Sequence, residues 1–234
     1  MTHTWDPPPG SSRLEGILRA LRDLYGHPAP PPTDPFANIL RENVAYLADD
    51  ARREEAFRML REETGLDPRR ILAAPRAVLA RIAGRGILPD DRVERLRAVA
   101  ALALEEFGGD LDAVTRRPPR EAAKALRKFP SIGQPGAEKI LLFAGRLPVL
   151  ALESNGLRVL LRIGYGKEEK SYAATYKSTQ LAAAGELPAD CDVLIGAHQM
   201  LRRHGQELCG RSAPFCDRCP VARACDYRRR MATG

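Results

Sequence analysis

The chain is poor in aromatic residues: six Tyr, six Phe and one Trp make up 6% of its 234 residues. So sparse a set argues against a protein that grips single strands by stacking bases on rings. No stretch approaches the roughly 18 consecutive apolar residues of a membrane span, so no membrane partner is expected. The opening, MTHTWDPPPGSS, has neither a basic n-region nor an apolar h-region. No secretory leader is read there, and a cytoplasmic setting with reduced thiols is expected. Alternating apolar and polar runs are missing, as is any internal repeat, which leaves no pattern for a sheet or a solenoid.

What the chain does have is helical spacing. Leu14, Ile17, Leu18, Leu21 and Leu24 mark a first amphipathic helix that ends at Gly26, His27 and Pro28. A proline-rich linker follows, and Asp34-Pro35 pairs an N-cap with a proline at the first helical position. The next helix is read through Phe36, Ile39, Leu40, Val44 and Leu47. Further helices are expected near 51–64, 68–73, 75–83, 90–107, 110–114, 120–127, 135–145, 155–164, 171–184 and 190–205. The class is all-α. The start, Asp6-Pro7-Pro8-Pro9-Gly10, reads as flexible.

Thirty-seven Lys and Arg outnumber thirty Asp and Glu, a net charge of +7. That balance suits a polyanionic partner, most simply nucleic acid. Four cysteines crowd the last quarter: Cys209, Cys216, Cys219 and Cys225, spaced C-x6-C-x2-C-x5-C. Four soft ligands in one short loop point to an iron–sulfur cluster. Tetrahedral zinc is the lesser alternative, because its sites usually pair their ligands in two close units. Cys191 sits in an apolar stretch and reads as a small buried hydrophobe.

The stretch Leu126 to Ala137 reads as a helix, a tight turn bracketed by Pro130 and Gly133, and a second helix opened by Pro135. Such a turn offers backbone N–H groups to phosphate oxygens at a helix N-terminus. Phe129-Pro130-Ser131-Ile132-Gly133 resembles the L-P-G-[IV]-G hairpin of the helix-hairpin-helix DNA glycosylases. Further on, Pro148 to Val159 resembles the family segment P-x-x-x-V-D-T-H-[IV]-x-R-V. Gly196-Ala197-His198-Gln199-Met200-Leu201 and His204-Gly205 then precede the cysteine loop. Order and spacing are similar to the endonuclease III and adenine glycosylase branch over residues 12 to 228.

The resemblance implies two all-α lobes: a six-helix barrel over 34–146, and a second lobe of 1–33 with 147–234 that holds a [4Fe–4S] cluster. It implies a monomer that binds damaged or mismatched double-stranded DNA across a cleft. The hairpin residues Pro130, Ser131, Ile132, Gly133, Gln134 and Gly136 would grip a phosphate. Asn43 would fill the gap left by a flipped base, Leu88 would act as an apolar wedge, and Arg211 would extend the phosphate contacts. The implied activity is base excision, by hydrolysis of an N-glycosidic bond.

The chain departs from the family at the reacting residues. Where bifunctional members carry a lysine, Pro135 stands, and proline has no amine for a Schiff base. Lys139, one turn on, is the nearest substitute. Where the family has aspartate, Glu153 keeps a carboxylate with one more methylene. A monofunctional enzyme, or one with weak lyase activity, is therefore expected, with Glu153 as its acid. The alternative is a protein of the same fold that binds damaged or structured DNA without cutting it.

Overall fold

The structure, a computed structural model, describes residues 10–233. The proline-rich start lies outside them except for Gly10. The helices are α1 (Arg13–Tyr25), α2 (Pro35–Asn43), α3 (Asp50–Thr64), α4 (Pro68–Ala73), α5 (Arg76–Ala83), α6 (Pro89–Phe107), α7 (Leu111–Thr115), α8 (Pro119–Leu126), α9 (Gln134–Phe143), α10 (Ser154–Ile163), α11 (Tyr172–Ala183), α12 (Cys191–Glu207) and α13 (Asp226–Thr233). Short 3-10 turns lie at Cys216–Arg218 and Ala222–Ala224. Among the described residues no strand forms, and the all-α expectation holds. The nearest thing to a sheet is an isolated antiparallel bridge between Tyr46 and Ile87. No helix among them is long and apolar enough to cross a membrane.

The capping chemistry is local. Ser12 accepts from Glu15 N while the Glu15 carboxylate accepts from Ser12 N, a complete capping box. Asp34, Asp49, Asp67, Asp110 and Asp190 each accept from backbone N–H groups of the helix they open. These bonds satisfy donors that the helix itself leaves without partners.

The chain divides into two compact units, one over Pro31–Leu147 and one that runs up to Pro30 and resumes at Pro148. The central unit buries one continuous core, with Phe36, Ile39 and Leu40 of α2, Phe57 and Leu60 of α3, and Leu96 and Val99 of α6. Leu126, Phe129, Ile132 and Ile140 carry that core under the turn between α8 and α9. In the other unit α1 buries Leu14, Ile17, Leu18 and Leu21, and α10 packs along α12. Gly205 makes that approach possible, since a Cβ there would sit 2.7 Å from the Asn155 carbonyl oxygen. Arg13 fastens α1 to the rest by donating to the carbonyls of Ile163 at 2.7 Å and Ala224 at 2.6 Å.

One helix is shorter than its apolar spacing suggests. α2 ends at Asn43, so Val44 is its cap and Leu47 lies beyond it. Val44 stays buried, but Leu47 is 71% exposed with φ +49°. The chain leaves the helix because Tyr46 O accepts from Ile87 N at 3.0 Å, which draws the loop after α2 against the loop before α6. Gly86 lets them meet, as its missing Cβ would lie 2.6 Å from both the N and the O of Tyr46. Gly86→Ala should therefore break the bridge and lower stability by about 1–3 kcal/mol. A denaturant midpoint equal to that of the unaltered protein would contradict this account.

Candidate functional site

In the central unit, the turn between α8 and α9 is built as a presented backbone. Ile132 is buried and anchors it, while Ser131, Gly133 and Gln134 are exposed; Pro130 and Gly136 are half-buried. Ser131 stands where the family pattern has glycine and adopts φ +64°, a conformation that L side chains rarely take. Strain of this kind persists where surrounding structure enforces it, and here the buried Phe129 and Ile132 on either side do so. Gly133 is the N-cap of α9 and supplies no side-chain cap, and Pro135 occupies the first turn. An uncapped helix start with exposed backbone N–H groups has the donors and the positive dipole end that favour an anion.

Asn43 takes a different role from the one its resemblance implied. It is fully buried, and its amide donates to Ile39 O at 2.9 Å and Pro130 O at 3.0 Å. A fully buried side chain committed to two carbonyls does not project from the surface. Asn43 instead pins the end of α2 to the hairpin. The exposed residues of that neighbourhood are Tyr46, Leu47, Ile87 and Leu88, at 42, 71, 49 and 57%. Leu88, the N-cap of α6, has φ +55° and is open to solvent. Leu47 gave no sequence signal, because its apolar spacing placed it on the buried face of α2.

Lys139 is ion-paired with Glu42, and its side chain is 16% exposed. An ammonium held by a carboxylate and largely covered is poorly disposed to act as a free amine nucleophile.

In the other unit, Glu153 is the N-cap of α10. Its Oε1 accepts from Gly156 N at 2.6 Å and its Oε2 from Asn155 Nδ2 at 2.8 Å. Both oxygens are thus held, and the helix N-terminus adds a favourable partial positive charge. Asn155 Oδ1 accepts from Arg158 at 2.8 Å, and Arg158 also donates to Gly205 O at 2.7 Å and Cys209 O at 3.0 Å. A hydrogen-bonded chain therefore runs from the carboxylate to the backbone of the cysteine loop. Tyr172, which the sequence did not single out, is close enough to feel Glu153: partial burial, then the Glu153 charge, raise its phenol above the usual tyrosine range. Its ring stacks on Tyr176 with centroids 6.4 Å apart.

The four cysteines line one cavity, walled by Val159, Ile163, Leu208 and Val221. Arg162 lies across it, donating to Cys209 Sγ at 3.2 Å, Gly210 O at 2.7 Å and Arg211 O at 2.8 Å. Its guanidinium also rests over the Tyr227 ring, 4.6 Å from the centroid. His204 Nε2 lies 3.5 Å from Cys219 Sγ, and its Nδ1 lies 3.1 Å from the Tyr25 hydroxyl. Burial pushes the His204 imidazole down to about 4 and the Cys219 thiol up to about 11. The other three cysteines add to the Cys219 shift, since thiolates so close repel one another. Four such groups in an apolar-walled cavity suit a cationic centre that takes them as thiolates. Among the described residues, no three His, Cys, Asp or Glu side chains converge on a single-ion site. Beside this cavity lies an open groove of about 880 Å³ lined by Ser154, Arg158, Lys170, Tyr172, Arg211 and Arg230 among others. It brings the exposed Arg211 alongside the neighbours of Glu153.

No family model matches the chain. Endonuclease III of Rickettsia conorii is 32% identical over 104 residues, which span 44% of this chain and 46% of that protein, less than half its length. Endonuclease III of Thermotoga maritima is 24% identical over 202 residues, 86% of this chain and 87% of that protein. Among solved structures, a non-covalent endonuclease III–DNA complex superposes with a TM-score of 0.73 at 17% identity, over 95% of this chain and 98% of that one. The last likeness is one of fold.

The cysteine loop should depend on Arg162. Arg162→Ala removes two well-formed charge-assisted bonds to loop carbonyls, so about 3 kcal/mol of stability should be lost. Hydrogen exchange across residues 209–225 should quicken accordingly, and unchanged protection there would refute the role.

Proposed function

We infer that this chain, an endonuclease III-like member of the helix-hairpin-helix DNA glycosylase superfamily, is a base-excision enzyme that hydrolyses the N-glycosidic bond of a damaged or mispaired base in duplex DNA. The observation that carries this reading is Glu153. A carboxylate fixed by two donors at a helix start can face the positive charge that develops on a sugar as its base departs. Fixed orientation matters here, since a misplacement of about 1 Å costs roughly a hundredfold in rate. The extra methylene of glutamate is taken up by the cap itself.

The uncapped start of α9 and the strained turn at Ser131 support a phosphate grip that carries no sequence readout. The basic groove beside Glu153 supports further backbone contacts, with an affinity that falls as salt rises. Cys209, Cys216, Cys219 and Cys225 would hold a [4Fe–4S] cluster, which supplies a rigid centre to a loop that has little apolar core of its own. Arg162, Arg158 and His204 position that loop from α10 and α12. Zinc would need the same thiolates, and the C-x6-C-x2-C-x5-C spacing favours the cluster.

Strand cleavage through a Schiff base has no amine at position 135, and Lys139 is tied to Glu42. A monofunctional reaction follows. Two observations favour the other reading, a binding protein without chemistry: the missing amine and the use of both Glu153 oxygens as acceptors. The two readings separate in one assay. Cluster-loaded protein is incubated with labelled duplexes that carry oxidised pyrimidines, uracil, mismatched adenine or oxidised guanine, each read with and without hot alkali. Breaks should appear on one of them only after alkali, Glu153→Gln should slow base release by about a hundredfold or more, and Lys139→Ala should change neither result. Alkali-independent breaks lost in Lys139→Ala would overturn the monofunctional reading. Intact binding with no breaks on any duplex would leave the binding protein.

A further inference from the structure

We propose that His204 is the hydrogen-bond donor that sets the reduction potential of the [4Fe–4S] cluster through Cys219, and that Tyr25 of α1 holds it in the donating tautomer. The inference rests on the cluster reading given above and on none of the base-release chemistry.

His204 is 2% exposed. Its ring meets Cys219 Sγ with Nε2 at 3.5 Å and the Tyr25 hydroxyl with Nδ1 at 3.1 Å. A ligating sulfur is a thiolate, which accepts hydrogen bonds and donates none. Nε2 therefore carries the proton in that contact. Nδ1 is then the acceptor, and the Tyr25 hydroxyl donates to it. The hydroxyl thus selects the tautomer that aims an N–H at the sulfur, as partners behind a metal ligand commonly do.

The arrangement is clamped from two distant parts of the chain, 179 residues apart. Tyr25 is the last residue of α1. Arg203, beside His204, holds its guanidinium 4.8 Å from the Tyr25 ring centroid and donates to Tyr25 O at 2.8 Å. The Tyr25 and His204 rings pack at 57° with centroids 6.1 Å apart. The backbone of His204 serves the same loop, since its carbonyl accepts from Leu208 N at 3.1 Å and Cys209 N at 2.8 Å. A ring engaged at both nitrogens, on a backbone bonded to the loop, has little freedom to turn away from Cys219.

What such a donor does follows from charge. An added electron makes the cluster sulfurs more negative, and a positioned N–H stabilises that state more than the oxidised one. The contact lies in the cavity that His204 lines together with the four cysteines. In such an apolar-walled site a hydrogen bond is electrostatically stronger than in water. One electron is exchanged, no bond forms or breaks, and the proton stays on Nε2. Arg162 also donates to a sulfur, that of Cys209 at 3.2 Å, but it holds two loop carbonyls as well. Among the described residues the His204 ring bonds only Cys219 and Tyr25. Its effect on the potential therefore separates from an effect on folding.

The test uses full-length protein purified with its cluster and without DNA. Iron and sulfide content establish loading, and film voltammetry on a carbon electrode gives the one-electron midpoint. His204→Leu removes the donor. At the wild-type midpoint it should lower the ratio of reduced to oxidised cluster about tenfold, a downward shift of about 60 mV. His204→Gln keeps an N–H of similar reach and should stay within about twofold of the wild-type ratio. Tyr25→Phe keeps the ring, its packing on His204 and its contact with Arg203, and loses only the hydroxyl. It should lower the ratio by about threefold. Bleaching of the cluster absorbance in air should quicken in the same order, because a lower potential eases oxidation.

A wild-type midpoint in His204→Leu would overturn the inference. Equal shifts in His204→Leu and His204→Gln would do so too, by reducing the residue to packing. Should His204→Leu fail to load, Tyr25→Phe decides, because the imidazole beside Cys219 is left in place, and an unmoved midpoint there would sink the proposal. Iron-free protein, or zinc on the four cysteines, would remove the inference together with the cluster reading. Iron present with every midpoint unmoved would remove the inference alone.

Discussion

Four thiols in one apolar-walled cavity are the constraint around which the C-terminal unit is arranged. Burial, with the repulsion of neighbouring thiols added, raises the Cys219 and Cys225 thiols above their usual range, and the 3-10 turns of this loop bury little apolar surface. The loop is held by guanidinium groups from elsewhere. Arg162 and Arg158, one turn apart on α10, send donors to the carbonyls of Cys209, Gly210 and Arg211 and to one sulfur. Charge-assisted bonds to backbone are the strong members of their kind, and here they stand in for a hydrophobic core. A metal centre in that cavity would neutralise the repulsion among the thiolates.

The same arginines tie the loop to the Glu153 carboxylate. Arg158 bonds Asn155, Asn155 bonds Glu153, and Glu153 caps the helix that carries Arg158 and Arg162. The carboxylate's position is thus over-determined by the helix start on one side and the cysteine loop on the other. A structural cap and a reacting acid are compatible in one residue, because both need the same thing, a charged oxygen held in one orientation at a helix N-terminus. The longer side chain is accommodated without loss of the cap bond to Gly156.

In the central unit the hairpin and the end of α2 are built as one piece. The hairpin offers backbone donors, whose strength does not depend on side-chain identity, so Ser131 can replace the pattern's glycine at the expense of a positive φ. Asn43 joins the end of α2 to that hairpin through a buried amide. Its Oδ1 is buried without a hydrogen-bond partner in the structure, a further sign that the residue is kept for the bonds its Nδ2 makes.

Much of this was legible in the chain. Helix periodicity, Asx caps and the proline and glycine stops are short-range signals, and they located the helices because each depends on residues within one or two turns. The cysteine spacing, the hairpin and the carboxylate at 153 were legible for the same reason. Position 43 shows the limit: an asparagine near a helix end looks the same in sequence whether it faces solvent or a hairpin 87 residues away. Leu47 was read as core because its spacing is helical, and only the bridge to Ile87 took it off the helix and into the open. Tyr172 and Arg162 carried no motif, and they matter through neighbours distant along the chain. The sequence by itself determined the helical class, the caps and the soft-ligand set, since these follow from local sterics, hydrogen bonding and thiol chemistry. The tertiary structure alone decided which side chains are buried pins, which are exposed tips and which donors reach the cysteine loop, because those depend on contacts that no local pattern encodes.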